Sequence, residues 1–171
     1  MKIKDRIEFK SKASPMTFFA DDKVIDAVIA MSEKNYGASV IVDKDNKPVG
    51  IITERDFMRR LVAKGLDAKT TQIKDIMTSD LKLATEDDQI VDWLRVMSNE
   101  RFRHLPVVDT DGKLINIMSQ GDFVSYTWPQ LITHAKDVAV KTFMERFHLH
   151  LIVSGVFLYG LIILIIALTV K

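Results

Sequence analysis

The chain has no cysteine among its 171 residues. A disulfide framework and thiolate chemistry are therefore excluded. No sign of charge dominates either: 24 Lys and Arg stand against 23 Asp and Glu, for a formal net charge of +1. Such a balance creates no long-range field to gather nucleic acid or acidic partners, and no nucleic-acid role is expected. The opening Met1-Lys2-Ile3-Lys4-Asp5-Arg6 runs into no apolar stretch, which argues against a cleaved secretory signal. There is no glycine-rich phosphate loop, no nucleophile beside a base and no cluster of metal ligands, so a non-enzyme is expected. His148 and His150 stand two apart and would not share a helix face, so they read as flanking residues, not metal ligands.

What the chain does have is a repeat. When Val24 is laid on Ile90, the stretch to Phe57 falls on the stretch to Phe123 without a gap. Asp26 meets Asp92, Met31 meets Met97, Asp43 and Asp45 meet Asp109 and Asp111, and Asp56 meets Asp122. Thr53 meets Ser119, which keeps the hydroxyl. Two copies are too few for a solenoid and predict two small lobes packed on each other.

Residues 1–20 offer few periodic cues, although Phe18-Phe19 suits a short strand. Val24, Ala27, Val28 and Met31 share one helical face. Asn35-Tyr36-Gly37 ends that helix, Ser39–Val42 reads as a buried strand, and Val49–Ile52 as its return strand. Thr53–Asp56 opens a second helix, with Phe57, Leu61 and Val62 inward and Gly65 as its stop. The second copy repeats the order. Ile76-Met77-Thr78 leads in, Leu81–Leu83 suits a short strand, and Ile90, Trp93, Leu94 and Met97 line a helix. Strands at Leu105–Val108 and Leu114–Met118 are joined through Asp111-Gly112, a hairpin turn. Ser119–Asp122 opens the last helix of the copy.

After Pro129, Leu131, Ile132, Ala135, Ala139, Phe143 and Phe147 recur at helical spacing and predict an amphipathic helix. It continues into Leu151–Val170, which contains no charge and no proline. At 1.5 Å per residue this spans roughly 30 Å, the thickness of the hydrocarbon layer. The segment is apolar on every face, which disfavours a core helix. Lys136, Lys141 and Arg146 precede it, so the positive-inside bias puts the N-terminal body in the cytoplasm. With only Lys171 beyond it, a single-pass, tail-anchored protein of the cell (inner or plasma) membrane is expected.

At Gly50-Ile51-Ile52-Thr53-Glu54-Arg55-Asp56 the chain closely resembles a cystathionine-β-synthase (CBS) domain, whose second strand leads to a Thr/Ser-x-x-Asp turn. The second copy has Asn116-Ile117-Met118-Ser119-Gln120-Gly121-Asp122, the run His104–Asp109, and the lead-in Ile76–Thr78. The resemblance covers roughly residues 10–126. It implies an α/β (α+β) fold, a pseudo-twofold pair of β-α-β-β-α repeats. The expected boundaries are 1–66 for the first CBS domain, 67–127 for the second, 128–149 for a linker helix and 150–171 for the membrane anchor. The family implies pairing into Bateman modules that commonly form homodimers. Val24, Val28, Ile90 and Leu94 are expected to supply the dimer face. It further implies an adenosine ligand (AMP, ADP, ATP or S-adenosylmethionine) and a sensing role for an attached partner.

The residues suit that ligand. A ribose offers two adjacent hydroxyls, and one carboxylate, Asp56 or Asp122, accepts from both. Thr53 and Ser119 sit at helix starts, where a hydroxyl and free backbone N–H groups favour phosphate. The resemblance assigns Ala38 and Ser39, and in the second copy Arg103, His104, Leu105 and Pro106, to the adenine and ribose, with Thr78 in the lead-in. Arg55, Arg101, Lys10 and Lys12 are further phosphate candidates. A second reading stands beside this one: Thr53 with Asp56, and Ser119 with Asp122, are nearly capping boxes that would cap helices and bind nothing. The first copy lacks the Ile-Met-Thr lead-in and a Leu-Pro before its strand, so the fuller site is expected in the second. The function expected is a membrane-anchored regulatory subunit that senses adenine nucleotides and modulates a membrane-protein partner, such as a transporter or channel, in the lipid bilayer. The alternative is an assembly subunit without a ligand.

Overall fold

In the computed structural model, residues 1–125 are described throughout, with ten scattered residues between 136 and 162. The chain divides into two compact units, Met1–Val124 and Ser125–Lys171.

The first unit carries the repeat in three dimensions. Its sheets have the orders β1-β2-β3 (Thr17–Phe18, Ala38–Val42, Pro48–Thr53) and β4-β5-β6 (Ala84–Thr85, His104–Val108, Leu114–Ser119). The first pairing in each sheet is parallel and the second antiparallel. Register is inherited by both copies: Ala38 pairs with Thr53 as His104 pairs with Ser119, and a bulge follows at Ile41/Val42 and at Val107/Val108. The helices α2 (Val24–Lys34) and α4 (Ile90–Glu100) cover the sheets. Each ends on a left-handed residue, Asn35 or Arg101. The hairpin turn is as expected at Gly112, whose positive φ of 79° suits a residue without Cβ.

The lead-ins cross between copies, which the repeat alone does not reveal. Ile3 is fully buried with Ile90, Met97, Leu105 and Phe123 of the second copy. Ile73 and Ile76 are buried with Val24, Met31, Ile41 and Ile52 of the first. The backbone mirrors this exchange. Ile3 N donates to Asp88 O as Ile73 N donates to Asp22 O, and Lys4 N to Glu86 O as Lys74 N to Ala20 O. Both lead-ins start with the same Ile-Lys-Asp, at 3–5 and 73–75. The aspartate of each accepts the N–H of the residue before the isoleucine, at 3.1 Å in both. This match lies four residues out of register with the main repeat, so a gap-free alignment passes over it. Val40, Val42 and Leu114 form a third cluster that joins the sheets, and Asn46 and Leu114 exchange hydrogen bonds across the join.

Four expectations are corrected. A short helix, α1 (Ile7–Ser11), occupies the N-terminal region where no periodicity was visible. The strand expected at Leu81–Leu83 falls instead at Ala84–Thr85, because the small, fully buried Ala84 is the residue that fits against Val107. The helix after Thr53 is irregular: α3 (Glu54–Asp56) gives way to a π turn at Phe57–Leu61 and a 3-10 turn at Val62–Lys64, which stops at Gly65. The wider π turn carries more residues per revolution, so Leu61 is buried but Val62 turns outward and is 68% exposed. Finally, Val24 and Ile90 are sealed inside their own cores, and Val28 and Leu94 pack against those cores. Of the four residues expected to supply the dimer face, only Val28 and Leu94 therefore keep part of their surface exposed.

Among the described residues no helix is long and apolar enough to cross a membrane. The amphipathic segment 128–149 and the apolar segment 150–171 lie largely outside the described residues. Those of the second unit that are described are helical, and Val140, Met144, Phe157, Leu158, Leu161 and Ile162 are exposed.

Candidate functional site

The crossed lead-ins build two cavities, each from both copies. The larger, about 680 Å³, is lined by Thr53, Glu54, Arg55 and Asp56 of the first copy and by Thr78, Phe102, Arg103 and His104 of the second. The smaller, about 330 Å³, is lined by Lys12–Met16 and Asn35–Ala38 of the first copy and by His104, Ile117 and Ser119 of the second. Gly37, His104 and Ser119 border both. A Cβ on Gly37 would meet the His104 ring and Glu54 Oε2 at 3.5 Å, ordinary van der Waals contact, so the wall between the cavities is thin at this point.

The expected site residues are thus regrouped. Thr78 does not join Asp122 in a site of the second copy alone. Its backbone pairs with Ile51, with N–H to carbonyl distances of 2.9 Å both ways, and it sits in the cavity of Thr53 and Asp56. Arg103 and His104 sit there too. Ala38, from the first copy, lines the cavity at Ser119. Of the two motifs that made the second copy look fuller, the Ile-Met-Thr lead-in therefore furnishes the site at Asp56, through Thr78. Ser39, Leu105, Pro106 and Asp122 line neither cavity: the first three are buried within strands, with the Ser39 hydroxyl donating to Met16 O at 2.7 Å, and Asp122 is reached through Ser119, which borders both. Among the cationic candidates, Arg55 lines the larger cavity and Lys12 the smaller, whereas Arg101 and Lys10 line neither.

The two turns themselves match. Asp56 Oδ2 accepts Thr53 N–H at 3.0 Å and the Thr53 hydroxyl at 2.6 Å. Asp122 Oδ2 accepts Ser119 N–H at 2.6 Å and its hydroxyl at 2.8 Å. Both aspartates are therefore helix caps, as the capping reading holds. Their second partners differ. Asp56 Oδ1 faces Arg60 Nε at 3.6 Å, outside hydrogen-bond distance, and Arg60 is held by the carbonyls of Ile76 and Met77 at 2.9 and 2.5 Å. Asp122 Oδ2 takes a further hydrogen bond from Lys12 Nζ, which also donates to Ile117 O at 3.0 Å. Burial works to raise the Asp122 pKa, but Lys12 and the two Ser119 donors outweigh it and hold the carboxyl below its ordinary value. His104 is pushed below its ordinary 6.5 by burial first and by Arg103 second, against the pull of Glu54. It is a neutral imidazole at pH 7.

Sequence reasoning missed Glu54, Arg59, Arg60, Phe102 and Tyr36. Arg60 had a signal in its spacing, four residues after Asp56 on one helix. Phe102 and Tyr36 had none in a single copy, but they are counterparts, each just ahead of the central strand of its sheet and each lining the cavity at the other copy's turn.

The CBS domain pattern matches twice, at residues 8–63 and 73–128. The chain belongs to the CBS-domain family. The CBS domain-containing protein CBSX3, mitochondrial, of Arabidopsis thaliana is 36% identical over 129 residues, 71% of this chain and 62% of that protein. A protein with CBS domains from Burkholderia ambifaria superposes with a TM-score of 0.67 at 32% identity, over 74% of this chain and 93% of that one. The CBS pair of protein MJ0100, solved with 5′-methylthioadenosine and S-adenosyl-L-methionine, superposes with a TM-score of 0.66 at 25% identity, over 76% and 98%. The chain spans between 58% and 63% of the length of the first curated relatives it matches. The architecture is a mixed α/β CBS pair with two three-stranded sheets.

Proposed function

We propose that this CBS pair is the sensing part of a membrane-anchored regulatory subunit. It binds an adenine nucleotide in the cavity at Asp56 and modulates a membrane-protein partner such as a transporter or channel. The observation that carries the reading is the composition of that cavity. One wall offers the Asp56 carboxylate, suited to two ribose hydroxyls, and the Thr53 hydroxyl; Arg55, Arg59, Arg60 and Arg103 surround them. Four guanidinium groups against the two carboxylates of Glu54 and Asp56 favour a ligand that carries phosphate, AMP, ADP or ATP, over cationic S-adenosylmethionine. The adenosine ligands of the MJ0100 pair support the same ligand class. Membrane anchoring rests on the charge-free run Leu151–Val170 and on the exposure of Phe157, Leu158, Leu161 and Ile162. The basic residues ahead of it orient the CBS body to the cytoplasmic face of the cell membrane. Homodimerisation through the CBS pair belongs to the same proposal.

A second reading has one observation in its favour. Both aspartates already serve as caps, and a pair that only caps its helices would be an assembly module without a ligand. Calorimetric titration of the full chain in mild detergent with AMP, ADP, ATP and S-adenosylmethionine separates the two. Binding of a phosphate-bearing adenosine is expected. Absence of binding for all four in the millimolar range would leave the assembly reading in its place.

A further inference from the structure

The two carboxylates that close the Thr/Ser-x-x-Asp turns differ in what already occupies them. Asp56 stands in the wall of the larger cavity with its nearest cation beyond hydrogen-bond distance. Asp122 holds an ammonium: Lys12 Nζ donates to its Oδ2 and to Ile117 O. Ile51, the counterpart of Ile117, is met instead by the neutral backbone of Thr78. The difference arises in the lead-ins, where Lys12 of the first copy stands sixty-six positions before Thr78 of the second, in register with the main repeat.

We infer that Lys12 decides which cavity takes a ligand, and that the chain binds one adenosine compound, at Asp56. This rests on reading the cavities as adenosine sites. A ribose that reached Asp122 would replace a charged donor with neutral hydroxyls. It would also leave a half-buried ammonium with a carbonyl as its remaining partner in the cavity. At Asp56 no such exchange is needed. The smaller cavity has less than half the volume of the larger, and Lys12 is one of the residues that line it. Lys12 is thus a specificity-determining residue that makes a pseudo-symmetric pair act as a single site. Neutralising it should open the second cavity.

The test is the number of AMP molecules bound per full-length chain in detergent, by calorimetry, for wild type, Lys12→Met and Lys12→Gln. Methionine keeps the length of the stem without charge, and glutamine keeps a donor for Ile117 O. The expected counts are one for wild type and two for either variant. Asp56→Ala in wild type should weaken the single site by at least about tenfold, and in the Lys12→Met background it should weaken one site and leave the other at its own affinity. A wild-type count of two overturns the inference whatever the variants do. So does a single site that Asp56→Ala leaves at wild-type affinity, or a count that stays at one in a Lys12 variant with wild-type circular dichroism. These outcomes leave the adenosine reading standing. No AMP binding by wild type or by any variant would instead overturn the adenosine reading, and this inference with it.

Discussion

Replacement of Asp56 separates ligand binding from helix capping. In the folded chain Asp56 lines the larger cavity; its Oδ2 is spent on the cap, accepting the N–H and hydroxyl of Thr53, while Oδ1 faces Arg60. Asp56→Ala removes the cap, which costs about 1 kcal/mol and lowers the melting temperature by a few degrees. Arg60 keeps the carbonyls of Ile76 and Met77, so the penalty should not grow much beyond that. Binding should suffer more. Two ribose hydroxyls donating to an ionised carboxylate are worth about 1.5–3 kcal/mol each. Loss of both, softened by water that takes their place, weakens AMP by at least about tenfold. Asp56→Asn retains an acceptor for Thr53 and for one hydroxyl, so it should melt near wild type and lose less affinity. A 2′-deoxy nucleotide should bind wild type more weakly than AMP, yet bind Asp56→Ala about as well as AMP does. Calorimetry with both ligands on all three proteins, with melting curves alongside, measures each quantity. The reasoning is refuted if Asp56→Ala melts lower but binds AMP like wild type, or if wild type fails to distinguish the 2′-deoxy ligand.

Three further outcomes are expected. Ile3→Ala and Ile73→Ala each empty a fully buried isoleucine site and should each cost about 2–5 kcal/mol by denaturant unfolding; an Ile3→Ala cost near zero, as for a loose terminus, would refute the crossed lead-ins. His104 resists its proton in the fold while the unfolded chain accepts one below its ordinary 6.5, so its contribution is intact above that pH and lost as pH falls through the lowered folded value. The denaturant midpoint of wild type should therefore fall between pH 7 and pH 5.5 by more than that of His104→Gln, and equal slopes would remove the histidine from the account. Protease added outside intact cells should spare the CBS body, and its digestion there would reverse the proposed orientation.

Local sequence was enough for the parts whose physics is local. Apolar spacing marked α2 and α4. Apolar runs flanked by turn residues marked β2, β3, β5 and β6. The repeat carried register and even the bulge positions, because equal side chains facing equal neighbours pair in the same way. The Thr53/Asp56 and Ser119/Asp122 turns were legible for the same reason: a hydroxyl and a carboxylate three residues apart satisfy the N–H groups of their own helix start. What tertiary structure decided is which copy completes which site. Ile3, Ile73 and Ile76 are apolar residues in short polar segments, without enough periodicity to show which core they enter. They enter the core across the pseudo-twofold axis, and Thr78 is carried to Asp56 while Lys12 is carried to Asp122. Whether the strand ahead of the turn meets the neutral backbone of Thr78, as Ile51 does, or the ammonium of Lys12, as Ile117 does, is a fact of packing between segments distant in sequence, and no local pattern encodes it.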